Sequence, residues 1–117
     1  MTKEEIHRKL YDYILTFKGV HVDEKENESV FILVSKPFAA IYPDRIEIKT
    51  KRDYNETIRI LHEEITEGER GDDWNCIRYS ESLPYEVISD MAERGYRLTY
   101  GKLPKKVQRE IDEYYHG

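Results

Sequence analysis

A single cysteine, Cys76, is all that the 117 residues contain, so no disulfide can form within the chain. Cys76 sits in an apolar-alternating segment, where a free cysteine reads as a small buried hydrophobe. No apolar run approaches the length needed to cross a bilayer, and Met1-Thr2-Lys3-Glu4-Glu5 carries no apolar signal core. A soluble cytoplasmic protein without membrane contact is the expectation. The chain also lacks a phosphate-cradling Gly-x-x-x-x-Gly-Lys, a dinucleotide-type Gly-x-Gly-x-x-Gly and a Gly-x-Ser-x-Gly elbow. Its four histidines, His7, His21, His62 and His116, include no pair at metal-ligand spacing, and His62-Glu63-Glu64-Ile65-Thr66 lacks the second histidine of a zinc-protease helix. No metal, no cofactor and no catalytic constellation is therefore expected. Phenylalanine and tryptophan are scarce, three and one, against ten tyrosines. A phenol buries its ring while its hydroxyl stays wet, which suits a small domain with much half-buried surface.

What is present fits one domain able to bury a core unaided. Residues 2–17 read as a helix with Ile6, Leu10, Ile14 and Phe17 on one face, Thr2 and Glu5 at capping-box spacing and Gly19 at its end. After a short extended stretch at 20–23, residues 23–29 are polar and aperiodic, a loop by pattern. Three strand-like runs follow at 30–34, 38–42 and 45–51, the last alternating Ile46, Ile48 and Thr50 against Arg45, Glu47, Lys49 and Lys51, which implies a meander whose third strand has one wet face. Asp53 and Glu56 suggest the cap of a second helix, with Tyr54, Ile58, Leu61 and Ile65 as its stripe. Residues 67–73 read as an acidic loop, 74–79 as a strand, and Pro84 and Pro104 each stand in the first turn of a helix. The result is an α+β domain of order α-β-β-β-α-β-α-α, helices packed on a mainly antiparallel sheet. Trp74, Ile77, Val87, Met91, Ile58, Leu61, Ile32 and Ile48 are expected to share its core.

The most specific pattern lies in the last third: Trp74-Asn75-Cys76-Ile77-Arg78-Tyr79, then Leu83-Pro84, Gly95-Tyr96-Arg97-Leu98 and Lys102-Leu103-Pro104-Lys105-Lys106. In that order these motifs, with the weaker Pro37-Phe38-Ala39-Ala40 and Ile46-Glu47-Ile48-Lys49, resemble the MmcQ/YjbR family of small bacterial proteins. The resemblance implies one such domain over residues 1–117, no reaction, and DNA binding. Family members are more basic just before the Trp-Asn strand than Gly68-Glu69-Arg70-Gly71-Asp72-Asp73 is here.

Independently of that likeness, Arg94, Arg97, Lys102, Lys105, Lys106 and Arg109 fall in sixteen residues without an Asp or Glu, interleaved with Tyr96 and Tyr100. Cations between aromatics suit phosphates and bases, and a solvated helix face gives the same pattern. Arg45, Lys49 and Lys51 form a smaller row, which adds to the first only if the fold sets both on one side. The net charge of −5 opposes generic affinity for polyanions. The nucleic-acid-binding residues expected are Arg45, Lys49, Lys51, Arg97, Lys102, Lys105, Lys106 and Arg109, in a small non-enzymatic module with weak, salt-sensitive affinity for DNA. A module that binds a protein or a small ligand is the alternative. The acidic residues Glu63, Glu64, Glu67, Glu69, Asp72 and Asp73 lack the order of a calcium loop and read as solvated.

Overall fold

Thr2 opens the first element of the structure, a computed structural model that describes residues 1–79 and 82–114. The Thr2 hydroxyl accepts the Glu5 amide at 3.2 Å and the Glu5 carboxylate accepts the Thr2 amide at 3.4 Å, the reciprocal cap that the spacing predicts. α1 (Lys3–Leu15) then buries Ile6, Leu10 and Ile14. It ends sooner than expected: Thr16 closes it, and Gly19, at φ 83°, makes the turn into the first strand.

Four strands follow as a meander, β1 (Val20–Lys25), β2 (Glu28–Leu33), β3 (Lys36–Ile41) and β4 (Arg45–Lys49). After α2 (Arg52–Leu61) come β5 (Ile65–Gly68), β6 (Gly71–Arg78), α3 (Tyr85–Gly101) and α4 (Lys105–Tyr114). Among the described residues the strands form one antiparallel sheet ordered β1-β2-β3-β4-β6-β5. The α+β class and the order of elements are those expected, with β1 and β5 added as the two edges. Residues 20–23 of β1 read as a short extended stretch and Ile65 of β5 as part of the second helix's stripe, while the rest of both lies largely where polar composition reads as loop. Residues 23–29 form a hairpin that turns at Glu26-Asn27, and 67–73 form a hairpin that turns at Glu69-Arg70. Edge strands with little to cover them lose the apolar alternation that reveals a strand.

Three further differences have local causes. Lys51, and not Asp53, precedes α2, while Asp53 accepts its neighbour's amide, from Tyr54, at 2.8 Å. The helix ends at Leu61, so Ile65 begins β5 and Leu61 is exposed. The face of β4 expected to be wet is covered at its middle, because Glu47 is completely buried.

The apolar core lies on one side of the sheet, beneath α1, α3 and α4. Ile48, Ile58, Ile77 and Met91 belong to it, and Val87 packs at its margin. Strand alternation puts Ile32 and Trp74 on the other side, the first half-buried and the second buried. β3 contributes an extra residue to the core through a bulge: Phe31 pairs with Ala39 and Ile32 with Pro37, which leaves Phe38 unpaired and buried beside Tyr96.

α3 crosses this layer closely at Gly95. A Cβ there would lie 2.7 Å from the Lys49 carbonyl oxygen and 3.0 Å from Ile48 Cγ2. Gly95→Ala should lower stability by about 1–3 kcal/mol through forced separation of helix and strand, although alanine is the better helix former. Urea unfolding measures the loss, and a midpoint at or above wild type would show slack in this contact.

Candidate nucleic-acid interface

β4 ends by delivering two lysines to the surface of α3. Lys49 is half-buried on the strand, and Lys51 is the exposed residue before α2. Lys51 lines a groove of about 250 Å³ with Tyr54, Arg94, Arg97 and Leu98. Lys49 lines a second, of about 270 Å³, with Lys36, Trp74, Leu98 and Lys102. The grooves share Leu98 and are joined through Lys49-Thr50-Lys51, and neither is lined by an Asp or Glu. The two basic runs of the sequence thus meet on one surface.

Their charges are not equally available. Arg94 donates to Asp90 at 2.8 Å and stacks over Tyr54 at 4.6 Å, and Arg97 holds Glu93 at 2.6 Å and 3.0 Å. These are exposed pairs along one helix and contribute little to stability. Lys36, Lys49, Lys51 and Lys102 make no ion pair among the described residues. Lys36 is the member that the sequence reading missed. Ser35-Lys36-Pro37 reads as a break rich in turn residues, and nothing in that pattern indicates that Lys36, which begins β3, shares a groove with Lys102. Val34 begins the β2–β3 turn at φ 62°, a costly conformation for a β-branched residue.

The remaining expected residues lie elsewhere. Lys105, Lys106 and Arg109 are exposed on α4 and line neither groove. Val107, on the same helix, shares a separate depression with Val34 of the β2–β3 turn. Arg45 is committed to structure: its Nε donates to buried Glu47 at 2.8 Å, its other nitrogens reach Asp44 at 3.0 Å and Glu69 at 3.2 Å, and its guanidinium covers the Tyr42 ring at 3.9 Å. Arg70 completes this lattice. Its amide donates to Glu47 at 3.1 Å, its side chain donates to the Tyr42 hydroxyl at 3.0 Å, and its guanidinium lies 5.0 Å from Trp74. The turn of the acidic hairpin is thereby fastened to the sheet.

Trp74 and Asn75 point to opposite sides of β6. Trp74 borders the lysine groove, whereas Asn75 belongs to a buried network under α2. Asn75 accepts from Arg59 at 2.9 Å and donates to Thr50 at 2.6 Å and to Asn55 at 2.8 Å, and Thr50 donates to Asn55. The network fixes the helix start that follows Lys51.

Cys76 is buried beside Glu47 in register, and burial pushes its thiol up. Native protein at pH 8 should therefore react with a disulfide reagent far more slowly than denatured protein, because the thiolate is the reactive form. Equal rates would contradict the burial. Among the described residues no three His, Cys, Asp or Glu side chains are placed to share a metal ion, and no helix is long and apolar enough to cross a membrane. His116 lies outside those residues.

No protein-family model and no curated protein matches the sequence. The fold has a solved counterpart. Deinococcus radiodurans protein DR2400, a DUF419 domain protein, superposes with a TM-score of 0.79 over 89% of this chain and 86% of that one. DUF419 is an MmcQ/YjbR-like family. At 18% identity the likeness is one of fold.

Proposed function

We propose that the protein is a non-enzymatic cytoplasmic module that binds DNA weakly through the strip formed by Lys36, Lys49, Lys51 and Lys102, with Arg94 and Arg97 beside it. The observation that carries this reading is the concentration of four lysines without ion pairs on two adjoining grooves with no acidic lining, in a chain of net charge −5. A polyanion is drawn to this concentration of cations, so affinity is local and strongly dependent on salt. Arg45 plays no part in binding, and the α4 cations Lys105, Lys106 and Arg109 add long-range attraction. The MmcQ/YjbR resemblance supports the same role.

Titration of a labelled duplex at low salt tests the proposal. Four phosphate contacts should give a salt slope of about −3.6 in log K against log[salt]. The triple variant Lys36→Glu, Lys51→Glu, Lys102→Glu changes only exposed side chains and should reduce that slope by about three units. Absence of binding by the wild type, or an unchanged slope in the folded variant, would refute DNA binding at this strip and favour a protein-binding or small-ligand module.

A further inference from the structure

Arg97 lines a second surface besides the basic strip. It stands at the edge of a groove of about 470 Å³ between the end of α1 and α3, walled by Tyr13, Phe17, Tyr96 and Tyr100. All four rings are half-buried. They form a continuous series, with centroids 4.9 Å apart from Tyr13 to Phe17, 5.0 Å from Phe17 to Tyr96 and 6.1 Å from Tyr96 to Tyr100. Two hydroxyls are tied down at the margin, Tyr96 donating to the Lys18 carbonyl at 2.6 Å and Tyr100 to Asp112 at 2.8 Å. Rings anchored by their hydroxyls present hydrocarbon, and not a mobile phenol, to whatever enters.

We infer that this groove receives an unpaired nucleobase of a strand whose phosphates lie on the basic strip. The inference rests on the DNA-binding reading and adds to it a preference for single strands. A flat aromatic ligand gains most from ring walls, because every base has a π face and stacking does not depend on sequence. Arg97 lines both surfaces, so a backbone held at Lys51 runs beside the groove and has its base within reach of the rings. Glu93 and Asp112 also line the groove. Each uses one carboxylate oxygen, for Arg97 and Tyr100, and offers the other to an exocyclic amino group. A duplex keeps its bases stacked and leaves the groove empty.

The test compares an unpaired strand with a duplex of equal length at low salt, and uses a thymidine strand carrying one 2-aminopurine to report stacking. The wild type should bind the unpaired strand about tenfold more tightly than the duplex. The 2-aminopurine emission should fall on binding. Tyr13→Leu with Phe17→Leu keeps apolar bulk but removes two rings, and should abolish both effects while duplex affinity stays the same. Equal affinity of the wild type for strand and duplex, unaltered 2-aminopurine emission in its complex, or a folded double variant that retains the preference would overturn the groove assignment and leave the basic strip standing. Failure of the wild type to bind either form would overturn the strip and the groove together. The wild-type measurements decide the matter if the double variant does not fold.

Discussion

Asn75→Ala should cost about 2–4 kcal/mol of stability, because it strips hydrogen-bond partners from buried groups on both sides of one contact. Its side chain lies between β6 and α2, fully buried, with Arg59, Thr50 and Asn55 around it. Without the amide, Arg59 loses its side-chain acceptor and keeps only the Asp72 and Trp74 carbonyls. Thr50 is left with Asn55, and Asn55 with Thr50 and the Asp73 carbonyl. Asn75→Asp should be no milder, since a carboxylate would turn an acceptor towards the Asn55 oxygen that now receives a hydrogen bond. Denaturant unfolding of both variants checks this, and a loss below about 0.5 kcal/mol, the size of an ordinary surface change, would mean that water or a shifted Arg59 replaces the amide.

Arg45→Ala is the more damaging substitution expected, at about 3–5 kcal/mol, the cost of leaving a buried carboxylate without its counter-ion. Glu47 has no solvent exposure, and the Arg45 side chain that pairs with it is itself only 14% exposed. The Arg70 amide remains as a donor but carries no charge. The double variant Arg45→Ala, Glu47→Gln separates the causes. Recovery of most of the loss would assign it to the stranded charge, whereas no recovery would assign it to the packing of Arg45 on Tyr42. In the folded fraction, the proposed binding of DNA should be unaffected.

These two sites mark where sequence reasoning reaches and where it stops. The capping pair of α1, the meander, the Leu-Pro helix starts and half of the expected core were legible because period and cap chemistry act over a few residues. Glu47 was not: alternation places it opposite Ile46 and Ile48, and only the hairpin folding back with Arg70 makes that position dry. The same contact withdraws Arg45 from the basic row to which its charge and spacing assign it. Lys49, Lys51, Arg97 and Lys102 were legible as cations, but their convergence depends on the close crossing of α3 over β4 at Gly95, a property of the assembled layers. Trp74 was expected to share the core with Ile77 on strand alternation; three residues apart on β6 the two face opposite sides, and Trp74 is buried on the side away from the helices.

The two sheet edges have a consequence for how copies of the chain behave in a crowded solution. β1 is one edge, and its outermost positions include His21, Asp23, Glu24 and Lys25, all exposed. β5 is the other, four residues long, with Glu67 exposed and a bulge before Gly68. A strand with unpaired amides and carbonyls invites a second strand, and aggregation starts where such an edge is long, flat and apolar. Here one edge is charged and the other is short and irregular. The polar composition that makes much of both read as loop is thus also what discourages edge-to-edge growth, keeping a small sheet from becoming a template for its own copies.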